Sequence, residues 1–398
     1  MPEVSFGNLF VVSLVALVVP LVLGFAPGLR VPAVVGEIVV GVLVGPSGLG
    51  WVDADTVVQV VALLGLAFLL FLAGLEIDVH QLRGPLLRLA LLGYLVTLVL
   101  GLLIGYAFGA LDWVKSPLLL AVTLSATSLG LVVPVLKDSG RIEEPTGQTT
   151  IAAASVADFA AVVLLSLLFG AEMTSTGGRL VLLAGFVALV AAIAVAAWAA
   201  GRSRQLGDVL ARLQDTTAEI RVRAAVVLLV GFVALARRFG LESILGAFLA
   251  GGVVGVLDRN TASHPYFRRK LEAIGYGFLI PVFFVTSGLR LDLSGLLASP
   301  SALARVPLFL LALLVVRGVP AMLYRRRLGT RGTVAAGLLQ ATSLPFIVAA
   351  TQIGVVVGLM TPVTAAALVC AGLASVLVFP AAALALLRTP AAEQVPAR

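Results

Sequence analysis

Long apolar runs, separated only by short polar breaks, restrict what this chain can fold into more than any other feature. A helix needs roughly 20 apolar residues to cross the hydrocarbon core of a bilayer. Runs of that kind lie at 6–26, 31–50, 56–77, 86–109, 117–136, 147–170, 180–200, 221–239, 241–257, 271–289, 302–323, 333–357 and 361–387. They predict an all-α, polytopic membrane protein of about 13 transmembrane helices. Soluble domains devote about a quarter of their residues to charge, whereas here 12% are charged. No basic residue precedes the first run and no small-residue cleavage site follows it, so it reads as a retained helix.

Loop charge sets the orientation. One set of alternate loops, with the C-terminus, holds twenty basic residues, among them Arg30, Arg83, Arg88, Lys137, Arg141, Arg202, Arg204, Arg212, Arg221, Arg223, Arg268, Arg325, Arg388 and Arg398. The other side holds six: Lys115, Arg179, Arg237, Arg238, Arg290 and Arg305. The first set is expected in the cytoplasm, with the N-terminus outside and the C-terminus inside a bacterial inner membrane. An odd number of helices follows. Net charge is +7, but the arginines flank apolar spans and form no stripe with aromatics, so nucleic acid is not an expected partner.

The chain echoes itself. Ala126-Thr127-Ser128-Leu129 in the fifth segment recurs as Ala341-Thr342-Ser343-Leu344 in the twelfth. Gly74-Leu75-Glu76-Ile77-Asp78 recurs as Gly288-Leu289-Arg290-Leu291-Asp292, and Gly36, Gly41 and Gly45 recur as Gly246, Gly251 and Gly255. Each echo is seven segments apart, so the partners run in opposite directions. That is an inverted-topology repeat, a common build for secondary transporters. It divides a single transport domain into repeat one (about 6–170), a linking helix (about 180–200) and repeat two (about 221–387).

Two charges lie deep in apolar stretches, Asp158 in the sixth segment and Arg317 in the eleventh. Such a charge costs at least ~2.5–3.5 kcal/mol and is a functional candidate; the bland reading is an Asp158–Arg317 structural pair. The fifth and twelfth segments carry Ser125-Ala126-Thr127-Ser128, with Gly130 and Pro134 beyond, and Gln340-Ala341-Thr342-Ser343-Leu344-Pro345. Proline and hydroxyl residues weaken the helical ladder, and broken helices at matching places in two halves point to a transport site. Carbonyl and hydroxyl oxygens there would replace the water around Na+, K+ or Li+. Otherwise the hydroxyls only join helices. Glu37 and Glu76 are candidates for an ion path or, as helix-end carboxylates, for the membrane interface, where Glu242 is also expected. A lone Cys370 and two loop histidines, His80 and His264, imply neither a disulfide nor a conventional metal site. No cofactor is expected, and no nucleophile, base and orienting group gather as an enzyme would need.

The run Val31-Pro32-Ala33-Val34-Val35-Gly36-Glu37, continuing to Gly45-Pro46-Ser47, resembles the second-helix signature of the monovalent cation:proton antiporter-2 family. So do Phe68 to Glu76, Gly246 to Gly251, and Pro281-Val282-Phe283-Phe284 before Gly288-Leu289. The resemblance implies the sodium/proton antiporter fold, with unwound, crossing helices five and twelve. It also implies a homodimer in the lipid bilayer, with a dimerisation domain beside a moving core domain. It maps the ion-binding acid onto Asp158, the Ala-Thr-Ser stretch onto Ala126-Thr127-Ser128, and a core basic residue onto Arg317. Two positions depart from the family. Ala157 stands where Asp or Asn usually precedes the acid, and Ala341 to Pro345 replaces a charged Pro-Arg-Gly-Glu-like pattern. No cytosolic nucleotide-binding domain, as in glutathione-gated potassium efflux relatives, is expected.

The expected function is exchange of a monovalent cation for protons by alternating access, the two competing for Asp158, electroneutral because there is one acid. A sodium-coupled organic-anion symporter would need more basic or aromatic residues at the crossing. A non-transporting sensor would draw only on Ala157 and the altered twelfth segment.

Overall fold

The computed structural model describes residues 6–25, 31–76, 85–169, 176–201, 219–259, 266–298 and 300–387. His80, His264, Asp78, Arg30, Arg83, Arg202, Arg204, Arg212, Arg388 and Arg398 lie outside them. Each of the expected apolar segments is helical, and the described residues contain no strand. Among the described residues, eight helices are long and apolar enough to cross a membrane, including the run Pro300–Val356, kinked at Gly329 (φ 66°, ψ 177°). The fold is that of an all-α polytopic membrane protein.

In chain order the helices are α1 (Gly7–Phe25), α2 (Ala33–Val44), α3 (Thr56–Glu76), α4 (Pro85–Ala110), α5 (Pro117–Ser125), α6 (Leu129–Asp138), α7 (Pro145–Phe169) and α8 (Thr176–Gly201). They continue with α9 (Ile220–Arg238), α10 (Ser243–Arg259), α11 (Tyr266–Ile274), α12 (Ile280–Leu289), α13 (Leu293–Leu297), α14 (Pro300–Leu313), α15 (Arg325–Gln340), α16 (Pro345–Val356) and α17 (Pro362–Leu387). The second segment was expected to reach residue 50, yet α2 stops at Val44. Gly45 precedes Pro46, whose ring disfavours the helical region for the residue before it, and Gly45 is extended (φ −80°, ψ −178°). Amides of Leu49, Trp51 and Val52 then return to the carbonyls of Leu43 and Val44. A π turn, Gly275–Leu279, joins α11 to α12, and a second, Leu314–Gly318, leads from α14 through a 3-10 stretch, Val319–Tyr324, into α15.

Two compact units emerge, and each draws helices from both halves of the chain. The first comprises 1–77 and 162–291, the second 78–161 and 292–398. In the first unit α2 crosses α12 and α3 crosses α10 at glycines. A side chain on Gly41 would strike the Val285 carbonyl, and one on Gly288 the Ile38 carbonyl. At the other crossing, one on Gly251 would strike the Phe71 carbonyl and one on Gly74 the Phe248 carbonyl. The two crossings exchange under the seven-segment offset, which pairs α2 with α10 and α3 with α12. Valines of α1 (Val12, Val15 and Val19) bury themselves against Val58, Val282 and Val285. In the second unit Val132, Leu136, Ala335, Leu339 and Ala383 form a core shared by α6, α15 and α17.

Candidate functional site

The second unit contains both helix breaks. α5 ends at Ser125, Ala126 is extended (φ −78°, ψ 156°), and α6 starts at Leu129. α15 ends at Gln340, Leu344 leaves helical geometry (φ −144°, ψ −58°), and α16 starts at Pro345. A break exposes backbone groups that a helix would otherwise pair, so each needs another partner. Much of that pairing comes from the opposite break. Ser128 N donates to Thr342 O at 3.0 Å, Leu344 N to Ser128 Oγ at 2.9 Å, and Thr127 Oγ1 to Gln340 O at 2.8 Å. The spans are broken where the sequence pattern predicts, and they cross in contact as the family resemblance implies.

Asp158 meets the first break directly. Its Oδ1 accepts from Thr127 N at 3.0 Å and its Oδ2 from Leu129 N at 3.2 Å. The carboxylate therefore sits at the amino end of α6, where free N–H groups and the helix dipole favour negative charge. Asp158 is half-buried, while Ala152, Ala153, Ala154 and Ala157 before it are buried. Those small side chains let neighbouring backbone approach. At the second break the matching cap is a hydroxyl. Ser343 N donates to Ser375 Oγ at 3.1 Å, and Ser375 Oγ donates to Gly372 O at 2.7 Å. Ser375 lies in the thirteenth segment, seven after that of Asp158. The two repeats thus hold equivalent breaks with different chemistry, an acid in one and a hydroxyl in the other.

Arg317 is 2% exposed and projects from the second π turn. Its Nε donates to Thr127 Oγ1 at 2.9 Å, its Nη2 donates to the same oxygen, and its Nη1 reaches Thr97 Oγ1 at 3.3 Å. A bonded path joins Arg317 to Asp158 through Thr127. Thr127 stands between the two, its amide on the acid and its hydroxyl on the base. That hydroxyl is saturated, with one donated and two accepted bonds. Tyr94 Oη lies 3.0 Å from Ser125 Oγ. Ser343 Oγ and Gln340 Nε2, both buried, have no partner.

Ser125, Thr127, Ser128, Asp158, Arg317, Gln340, Thr342 and Ser343 all belong to this unit; Thr342 turns its hydroxyl back to Leu338 O at 3.2 Å. Glu37 and Glu76 belong to the other unit. Glu37 is buried within α2. Glu76 closes α3, with Oε1 3.6 Å from Arg268 Nη2. The Glu242 amide donates to Ser166 Oγ at 2.9 Å. Sequence reasoning missed Tyr94, Thr97 and Ser375. Their only signal is a hydroxyl in an apolar span, and Thr97 also bonds its own helix at Gly93 O, as such residues ordinarily do. No group of three or more His, Cys, Asp or Glu side chains gathers among the described residues.

A family profile described as "Sodium/hydrogen exchanger, transmembrane" matches residues 13–388. YjbQ of Bacillus subtilis is 33% identical over 369 residues, 89% of this chain and 58% of YjbQ, so the chain spans somewhat over half of that relative. A protein named Na+/H+ antiporter from Enterococcus hirae is 33% identical over 66% of this chain and 68% of its own length. GerN of Bacillus cereus, named Na+/H+-K+ antiporter, is 27% identical over 73% of this chain and 74% of its own. Among solved structures, the sodium proton antiporter MjNhaP1 of Methanocaldococcus jannaschii superposes with a TM-score of 0.69 at 17% identity, covering 96% of this chain and 98% of that one. That likeness speaks to the fold.

Proposed function

This chain belongs to the sodium/hydrogen exchanger family, and from that premise we propose that it exchanges a monovalent cation for protons by alternating access, with Asp158 carrying one or the other. The observation behind this reading is a single carboxylate bonded to two backbone amides at a helix break, beside a second break that leaves the Ser343 hydroxyl unpartnered. Each oxygen of an ionised carboxylate has more than one acceptor direction. The amides therefore hold the group in place while leaving it able to take a proton or a cation, but not both. That exclusion couples the two fluxes. Ser343 Oγ, with carbonyls freed at the breaks, supplies further oxygens for the cation.

Arg317 is a fixed positive charge, since guanidinium keeps its proton. It balances the ionised acid through Thr127 and does not titrate, so one proton leaves for each monovalent cation that enters and the cycle moves no net charge. The cation is Na+ or K+, with Li+ a possible surrogate; the Na+ and K+ in the names of relatives support that set. We assign the chain to the monovalent cation:proton antiporter-2 branch on its second-segment motif. We further propose a homodimer in a bacterial inner membrane, N-terminus outside and C-terminus cytoplasmic.

Proteoliposomes holding a quenched pH dye test the assignment. Added Na+, K+ or Li+ should restore fluorescence with the wild type and leave it near background with Asp158→Asn. Full cation-dependent proton flux in that variant would reject Asp158 as the carrier. A transport-linked current on a solid-supported membrane would reject electroneutrality.

A further inference from the structure

Glu37 lies in the unit that lacks Asp158. Its side chain is 4% exposed, and no hydrogen-bond donor or cation among the described residues meets its carboxylate. Other acids have company: Asp158 has two amides, and Glu76 faces Arg268. A carboxylate buried alone is costly, and Glu37 opens instead onto a cavity of about 390 Å3. Ser13, Ala16 and Leu17 of α1, Tyr276 of the first π turn and Pro281 of α12 line it. Its size falls in the range of small-molecule sites, which have apolar walls and a few convergent polar groups. Here those groups are the carboxylate and the hydroxyls of Ser13 and Tyr276. At the rim, Leu17, Tyr276 and Phe278 are all more than two-fifths exposed.

We propose that this cavity binds a small amphiphilic ammonium ion, its charged head on Glu37 and its hydrocarbon body against α1 and Pro281. Charge sets the head group, because no basic side chain lines the cavity to receive an anion. The walls set the rest. A bare alkali cation requires a shell of oxygens, as hard cations do, and this cavity presents side-chain oxygens from only three residues. A phospholipid amine would bring a phosphate with it and find no cation to meet it.

The full chain, purified in detergent and titrated with hexylammonium chloride, tests this by its thermal unfolding midpoint. The midpoint should rise and saturate with hexylammonium, and show no such rise with hexanol or, in Asp158→Asn, with NaCl at equal ionic strength. Glu37→Gln should weaken the apparent affinity about tenfold or more, as loss of a charge-assisted contact does. Ala16→Leu, which keeps the acid but fills the cavity, should abolish the shift even if Glu37→Gln proves unstable. An unchanged response in Ala16→Leu, or an equal response to hexanol, would overturn the proposal. So would a Glu37-dependent shift given by phosphatidylethanolamine and not by hexylammonium, which would make lipid the occupant. Asp158→Asn should respond to hexylammonium as the wild type does, so the transport assignment and this one can fail separately.

Discussion

Thr127 holds three groups at once: the Asp158 carboxylate by its amide, and the Gln340 carbonyl and the Arg317 guanidinium by its hydroxyl. Removing that hydroxyl leaves a buried cation short of acceptors and a carbonyl without its donor. Thr127→Val should therefore lose about 1–3 kcal/mol of stability, with cation-dependent proton flux falling at least tenfold. Thr127→Ser should retain most of both. Thermal unfolding beside vesicle flux separates the outcomes, and full flux in Thr127→Val would show that the bridge is not needed. Ser128→Ala strips Leu344 N of its acceptor and should lower the midpoint without touching the acid. Asp158 was legible because a lone charge in an apolar run is conspicuous. Thr97 and Ser375 were not, because a Ser or Thr hydroxyl in such a run can bond its own helix, as both do, and needs no further role; nor was Tyr94, whose ring suits an apolar span without any polar partner.

Among elements, the glycine crossings of the first unit are the most demanding contacts. Gly41→Val and Gly251→Val should each cost about 1–3 kcal/mol or more through overpacking, since backbone carbonyls cannot move aside as side chains do. Gly231→Ala, on α9 with open space around it, should leave the unfolding midpoint nearly unchanged. Equal effects at all three positions would remove the crossings from the account. The amino end of α3 gives a pH-dependent case. Asp55 caps it by accepting from Val58 N at 2.9 Å and takes a second bond from Asn8. The Val58 amide, helped by Asn8, holds its carboxyl below the usual carboxylate range. A lowered acid stabilises the fold above its unfolded value, about 3.9, and that contribution disappears as pH falls through the lower folded value. Asp55→Ala should thus cost about 1 kcal/mol near neutrality, and its gap from wild type should close in strong acid. The helix breaks could be read from sequence because Thr, Ser and Pro interrupt apolar runs. The π turns could not: Leu314-Val315-Val316-Arg317-Gly318 differs from ordinary helix only in its charge, and an extra residue per turn leaves no mark on composition.

For the whole molecule, the echoes foretold which helices would pair as equivalents, and the reciprocal glycine crossings fit that offset. What they did not foretell is that each compact unit would mix helices from both repeats, since similarity along a chain says nothing about which copies pack together. Orientation remains a proposal with a direct test. Cys370 is the only cysteine, so Cys370→Ala gives a clean background for single cysteines. Arg326→Cys should react with an impermeant maleimide in inside-out vesicles and be protected in right-side-out ones, and Lys115→Cys should do the reverse. The opposite pattern would invert the topology.

The bonds from Ser128 to Thr342 and from Leu344 back to Ser128 work like a buckle through which two straps pass. Slack cannot be let out of one strap without loosening the other, so neither half-helix is free to swing aside as a gate. On the transport mechanism proposed above, an ion held there would travel with its fastening intact, carried as luggage is carried, and the four helical arms would shift together as it changed sides.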